Sequence, residues 1–496
     1  MSKAKISVSL YDQVATINPN VYGHFAEHLG ACIYGGAWVG EDSPIPNIGG
    51  IRRDVVEALR NIKPAVIRWP GGCFADDYHW QDGIGARASR PRRVNIWWGK
   101  AIESNAFGTH EFIRFCRLVG AEPYICGNVG SGSPTELRNW VEYCNFPAGT
   151  TLSDLRAANG SPEPFNVRYW GVGNENWGCG GSFCPEDYGV EYKRFATYLQ
   201  RGLDDPAPFL IACGPNGNNT DWTRRFLSKV MPQGRLRING YAAHLYFGTA
   251  GTATEYTEEQ YYQLIQRCLA METLIRQQRG LLDGFDPERK IGLIIDEWGT
   301  WHAGRKEPEF MLWQQNTVRD AVIAALSLDT FNRHADTVVM SNIAQTINVL
   351  QALILTDGPK MITTPTYHVY EMYQHHQGGQ SLRTVFEADP ISFKLDEKAE
   401  SMAGLNGSAS LKDGVLTLSV VNPSATAAVE TSIELFGGQA KSGALTVLAH
   451  ADIHAHNTFE SPATVAPQTG TLAVSSHRLN HTFPPASVTV FRLQLG

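Results

Sequence analysis

Two glutamates close short apolar runs in this chain: Glu175 at the end of RYWGVGNE and Glu297 at the end of IGLIIDE. Runs this rich in Val, Ile and aromatic residues have the texture of buried parallel strands. Each run breaks off into carboxylate, amide and Trp, as Asn174-Glu175-Asn176-Trp177 and Asp296-Glu297-Trp298. Polar groups at the C-terminal ends of parallel strands are where α/β barrels keep their chemistry. Two carboxylates there, one acid and one nucleophile, are the minimum for cleaving a glycosidic bond with retention. Beside Trp170 and Trp177, Glu175 is expected to be partly desolvated, which would raise its pKa toward that of a general acid. Asn174 has an amide to offer a sugar hydroxyl. Taken singly, each motif reads equally well as structural, with Glu175 paired to a loop arginine and Glu297 in a buried ion pair. The functional reading rests on the two together.

The elements that must position them alternate along the chain. Strand-like segments fall at 21–25, 65–72, 123–130, 168–175, 209–215, 240–246, 291–297 and 337–345. Spacing near 3.6 predicts helices over 51–62, 108–121, 185–203, 257–278 and 316–335. Eight strands with intervening helices predict an α/β fold of the (β/α)8 TIM-barrel type with long loops. Glu175 and Glu297 then close the fourth and seventh strands and face each other across the barrel mouth. A doubly wound open sheet is the alternative, but GHFAEHLG after the first strand is no Gly-rich phosphate loop. Beyond about residue 380 the helical period fades into short alternating runs, such as GVLTLSVVN and SVTVFRLQL, between Gly, Pro, Ser and Asn. They predict an antiparallel, jelly-roll-like β-sandwich over 381–496. KISVSL near the start alternates too and has no barrel role, so residues 1–18 are expected to contribute a strand to that sandwich, leaving 19–380 to the barrel.

The 496 residues exceed one compact core, which agrees with a large and a smaller domain. The formal net charge of −7 argues against nucleic acid as a partner. MSKAKISVSLYDQ lacks the apolar stretch of a secretory signal, and no apolar run reaches the ~18 residues of a membrane span. A cytoplasmic protein with no membrane partner is expected. Nine scattered cysteines, an odd number without a disulfide-like framework, are read as reduced thiols. Cys179 and Cys184 share the loop beside Glu175 and are the pair weighed for a disulfide. His24, His28, His244 and His302 are candidate metal ligands with Glu27. The chain lacks H-E-x-x-H or C-x-x-C spacing, so they read as structural histidines or sugar contacts and no metal is expected. Trp97, Trp98 and Trp301 are candidates for the aglycone side of the cleft, with packing under loops as the competing reading.

Seven segments carry a family resemblance: YGHFAEHLG (22–30), RWPGGCFADDYHWQDGIG (68–85), GAEPYICGNVG (120–130), WVEYCN (140–145), WGVGNENWG (170–178), HLYFG (244–248) and DEWGTW (296–301). Together they resemble the α-L-arabinofuranosidases of glycoside hydrolase family 51. The resemblance implies that Glu175 is the acid/base and Glu297 the nucleophile. It implies that Asn174 binds the sugar 2-hydroxyl, Glu27 grips the furanose hydroxyls and Tyr246 hydrogen-bonds the nucleophile. Gln351 would hold the terminal sugar hydroxyl, and Arg68 would set the nucleophile's charge. Where many members carry PGGN, this chain has PGGC. Cys73 is then either a weakly donating sugar contact or a packing residue. The activity implied is retaining, exo-acting release of L-arabinose without a cofactor, from imported arabinose-containing oligosaccharides, by a homo-oligomer of which a hexamer is the form suggested. Another retaining activity on the same scaffold (β-D-galactofuranosidase, β-xylosidase or endoglucanase) and a catalytically silent carbohydrate-binding protein remain alternatives.

Overall fold

All eight expected barrel segments form parallel strands in a computed structural model that describes residues 2–199, 207–231, 237–395, 398–474 and 476–496. After the N-terminal strand β1 (Ser2–Thr16) come β2 (Gly23–Phe25), β3 (Val66–Trp69), β4 (Glu122–Gly127), β5 (Tyr169–Val172), β6 (Phe209–Ala212), β7 (Gly240–Tyr246), β8 (Gly292–Gly299) and β9 (Val338–Ala344). The eight strands β2 to β9 close into a barrel in chain order, with β9 returning to β2 through Asn342 opposite Gly23 and Ile343 opposite His24. Pleat alternation sorts their side chains. Val66, Tyr124, Tyr169, Ile211, Ala242, Ile294 and Met340, one from each of seven strands, pack together as a plug in the bore. Leu293 and Ile295, on the other face of β8, join the larger core with the surrounding helices.

The strand ends differ from expectation for local reasons. β3 stops at Trp69 because Pro70 has no N–H to continue the ladder. β5 stops at Val172 because Gly173 adopts φ +87°, so Glu175 stands on the loop beyond the strand. Glu297, by contrast, lies within β8. Helices run over Arg53–Ile62, Thr109–Val119, Pro185–Leu199, Glu258–Phe285 and Val318–Arg333, among others. The last part of the helix expected over 185–203 lies outside the described residues. The helix expected over 257–278 continues to Phe285, because burial of Leu282 outweighs the weak helix propensity of Gly280 and Gly284, and it ends before Pro287. Thr257 and Gln260 cap its start reciprocally.

The C-terminal β-rich domain contains β10 (Gln380–Glu387), β11 (Asn406–Lys412), β12 (Val415–Asn422), β13 (Val429–Phe436), β14 (Ala440–Leu448), β15 (Gln468–Leu472), β16 (Arg478–Phe483) and β17 (Ser487–Leu495). With β1 they form a single nine-stranded sheet in the order β15-β14-β17-β12-β11-β10-β1-β13-β16. Phe483 on β16 and Phe491 on β17 are six strands apart in that order, roughly 29 Å in a flat sheet. Their ring centroids are 6.1 Å apart, so the sheet folds over and its two layers face each other. β1 is central, antiparallel to β10 and parallel to β13, and it contributes Ile6, Val8 and Leu10 to the domain core. Asp329, on the barrel helix Val318–Arg333, joins the domains: its carboxylate accepts from Ser408, Ser419 and Tyr373 hydroxyls in a buried network.

Candidate active site

Strict alternation along β8 would send Glu297 outward, to the side occupied by Leu293 and Ile295. The pairing of β8 with β7 slips by one residue: Ala243 lies opposite Ile295, but His244 lies opposite Glu297. Asp296 is the extra residue of a bulge, which resets the phase of the strand. Both Asp296 and Glu297 consequently face the bore, where both meet Arg68, and Trp298 returns to the outer core.

Arg68, buried on β3, organises this level. Its Nη1 donates to Glu297 Oε1 at 2.7 Å, its Nε lies 3.4 Å from Asp296 Oδ2, and its Nη2 donates to Asn174 Oδ1. Its guanidinium stacks over the Phe25 ring at 4.4 Å. Asp296 is held further by Tyr124 OH at 2.8 Å and Asn342 Nδ2 at 2.7 Å. On its other side, Glu297 Oε2 accepts from Tyr246 OH at 2.7 Å and lies 3.6 Å from His244 Nδ1. Burial pushes the Glu297 pKa up, but His244, Arg68 and Tyr246 outweigh it, and the carboxyl is held below its ordinary value. Burial likewise opposes charge on His244, yet Glu297 and Glu175 raise its pKa.

Glu175 follows Gly173 and itself adopts φ +42°, a strained left-handed conformation for a side-chain-bearing residue. Asp76 pins the loop before it: one carboxylate oxygen accepts the Asn174 N–H at 2.9 Å, the other those of Val129 and Gly130 at 2.7 Å. Burial pushes the Asp76 pKa up to about 7 despite these donors. The Glu175 side chain, 18% exposed, takes its Oε1 to within 2.9 Å of His244 Nδ1. One ligating atom each from Glu175, His244 and Glu297 lie within 4.8 Å of one another. The sequence expectations missed the bridging role of His244 and the anchoring role of Asp76. The sole signal for His244 was its position near the C-terminal end of a strand, in HLYFG.

Glu27, just past β2, lines the third side. Its Oε1 accepts from Gly72 N–H, Phe74 N–H and Trp98 Nε1 at 3.0, 3.2 and 3.0 Å, and its Oε2 from Gln345 Nε2 at 2.8 Å. Burial, reinforced by the negative charge of Glu297, pushes its pKa up to about 7. A Cβ at position 72 would come 3.1 Å from Glu297 Oε1, so Gly72 leaves room for that carboxylate. Trp301 is half-buried, its ring edge-on to Tyr246 at 4.9 Å, and Trp97 is 40% exposed. Gln351 is fully buried, its Oε1 accepting from Thr300 N–H and its Nε2 donating to Asp320 O.

Several expectations need correction. Cys73 is neither a free thiol nor a simple packing residue. It is disulfide-bonded to Cys179, with Cα atoms 5.4 Å apart, so the cysteines are not all reduced and the Cys179–Cys184 pairing does not form. The two cysteines are far apart in sequence and meet because their loops close the same barrel mouth. Cys184 is exposed, while the other free cysteines, Cys32, Cys116, Cys126, Cys144, Cys213 and Cys268, are buried. Trp170 is fully buried against Trp140 and donates to Val167 O, so of the two tryptophans expected beside Glu175 it belongs to the core. The histidines weighed as a cluster do not converge: His28 bonds Glu103, His302 bonds Asp320, and His24 is buried with neither ring nitrogen partnered among the described residues. Cys73, Glu175 and Cys179 do bring three ligating atoms within 4.8 Å of one another, a cluster the sequence did not suggest.

A closed parallel barrel with paired carboxylates, an arginine and a tyrosine at its mouth belongs to the barrel glycoside hydrolases. Family profiles described as Alpha-L-arabinofuranosidase 1 domain and Alpha-L-arabinofuranosidase C-terminal domain match residues 58–263 and 296–487. The chain is 43% identical to an intracellular exo-alpha-L-arabinofuranosidase of Bacteroides ovatus, over 92% of this chain and 89% of the relative. It is 32% identical to alpha-L-arabinofuranosidase C of Emericella nidulans, over 86% of each. The crystal structure of the GH51 arabinofuranosidase from Xanthomonas axonopodis pv. citri superposes with a TM-score of 0.94 at 39% identity, covering 99% of this chain and 100% of that one. The chain belongs to the α-L-arabinofuranosidases of glycoside hydrolase family 51.

Proposed function

We propose that this arabinofuranosidase is exo-acting and retaining, and that it releases L-arabinose from arabinose-containing oligosaccharides by double displacement. Glu297 attacks the anomeric carbon while Glu175 gives its proton to the departing oxygen. Water, deprotonated by Glu175, then cleaves the glycosyl-enzyme. The observation that carries this reading is the asymmetry of the pair. Glu297 is buried between Arg68 and Tyr246 and held ionised, whereas Glu175 is more exposed and reaches toward the cleft. An oxygen of each carboxylate lies within 4.8 Å of the other, an approach that supports the close pairing of retaining enzymes. Asn174 and Glu27 hold furanose hydroxyls, and Trp98 and Trp301 flank the sugar. Gln351 supports the site at the terminal hydroxyl, acting through Thr300 and Asp320, which its amide engages. No cofactor enters this mechanism.

An intracellular location is supported by the printed name of the Bacteroides ovatus relative. No described helix is long and apolar enough to cross a membrane. A homo-oligomer, a hexamer by the family resemblance, is part of the same proposal.

Replacing each glutamate by alanine separates the roles. Glu297→Ala should be nearly inactive on oligosaccharides and activated aryl arabinofuranosides alike. Glu175→Ala should still form the intermediate from an aryl substrate, accumulate it, and turn over when azide is added, giving the azide with retained configuration. Retained product from azide-rescued Glu297→Ala would reverse the assignment, and undiminished activity in both variants would refute it.

A further inference from the structure

The Cys73–Cys179 disulfide ties the loop after β3 to the loop after β5 at the edge of the reacting pair. Cys179 Sγ lies 3.7 Å from Glu175 Oε2 and 3.9 Å from Asn174 Nδ2. Cys73, Glu175 and Cys179 are all partly exposed, so both a reductant and a small cation reach them. A tetrahedral zinc with Zn–S of about 2.3 Å and Zn–O of about 2.1 Å needs sulfur and oxygen about 3.6 Å apart and two sulfurs about 3.8 Å apart. Cys179 is already at the sulfur–carboxylate spacing, and Cys73 lies within 4.8 Å of the same cluster. The Cα atoms are 5.4 Å apart, so the sulfurs need only separate from bonding distance by side-chain rotation.

We propose that reduction of the Cys73–Cys179 disulfide turns the rim of the catalytic cleft into a site for a thiophilic divalent cation of the zinc class, with Cys73, Cys179 and Glu175 as ligands, and that filling it switches the enzyme off. The disulfide takes two electrons and two protons from a cellular dithiol, which becomes a disulfide itself. The cation then displaces the two thiol protons and binds both thiolates and the Glu175 carboxylate, leaving a fourth position for water. A carboxylate engaged in this way has no proton to give a leaving oxygen. Removing the cation with a chelator restores the enzyme. An oxidant of the disulfide class that takes the two electrons back closes the site. The loss of activity rests on the acid/base role proposed for Glu175, whereas formation of the site does not.

The test uses the full-length chain with the exposed thiol removed by Cys184→Ser, prepared oxidised and, after a phosphine reductant is removed anaerobically, reduced. Cobalt(II) is the probe, because thiolate ligation gives a charge-transfer band in the near ultraviolet. The expected result is a band that saturates at one cobalt per chain in the reduced protein only and is displaced by zinc. It should be abolished in Cys73→Ser and in Cys179→Ser. Zinc should lower oligosaccharide hydrolysis by the reduced enzyme about 100-fold, the scale of a lost general acid, and a chelator should restore it. The absence of the band, its presence in the oxidised protein, or its survival in either serine variant would overturn the site. A band with undiminished hydrolysis would overturn the switch. In that event Glu175→Ala decides the cause: if it is inactive the acid/base assignment stands, and if it is active that assignment falls as well.

Discussion

Glu27→Gln offers a direct measure of the electrostatic strain in this site. Glu27 is buried, faces the ionised Glu297, and has its pKa pushed from the ordinary 4.5 to about 7. The folded protein therefore holds a proton on Glu27 between about pH 4.5 and 7 that the unfolded chain releases. Stability rises with pH only where the unfolded state binds more protons. Here the folded state binds more, so this group's contribution is most favourable below about pH 4.5 and is lost as pH rises to about 7. At about 1.36 kcal/mol per pKa unit, the loss is about 3 kcal/mol. Glutamine is isosteric and cannot ionise. Its carbonyl can keep the bonds from Gly72, Phe74 and Trp98. Its amide can meet Gln345, whose Oε1 has no partner among the described residues and can accept after a flip of that amide. The variant should thus gain stability relative to the parent as pH rises through that window. For 496 residues, an unfolding entropy of roughly 1 kcal/mol/K makes 3 kcal/mol worth about 3 °C in Tm. The assay is the difference in Tm between variant and parent at pH 4.5, 6 and 8. Asp76 has a pKa pushed to a similar value, but it is common to both proteins and cancels. A difference that stays constant across pH, or that moves the opposite way, would refute the reasoning.

Tyr246→Phe removes a hydrogen bond to the Glu297 carboxylate, a class worth about 1.5–3 kcal/mol. It should lower kcat/KM by about 10- to 100-fold and move the acidic limb of the pH profile upward, because Glu297 loses one of the groups that depress its pKa. Steady-state kinetics across pH check both effects. Deleting residues 1–11 removes most of a strand hydrogen-bonded on both sides, exposing the edges of β10 and β13 and removing Ile6, Val8 and Leu10 from a core. The truncated protein should aggregate, as seen by light scattering, and a soluble, equally stable product would count against that strand's role.

Much of this protein is determined by its sequence read alone. The eight barrel strands are legible because a strand buried on both faces must be continuously apolar, and the helices between them because one face must pack on the barrel. The alternation of Ile6, Val8 and Leu10 is legible as a half-buried strand for the same reason. Glu175 and Glu297 stand out because carboxylates at the ends of such runs are costly to bury without a use. What the sequence leaves undecided is how the strands align and which loops touch. Alternation alone would turn Glu297 away from the bore; a bulge at Asp296, a property of the pairing between β7 and β8, turns it inward beside Arg68. The same holds for His244 between the two carboxylates, for Asp76 beneath the Asn174 backbone, and for Cys73 opposite Cys179. Each depends on the closure of the barrel, which brings the ends of non-adjacent strands within a few ångströms. A linear pattern records the period of a strand, but not its register against a neighbour, and at this barrel mouth the register decides which side chains meet.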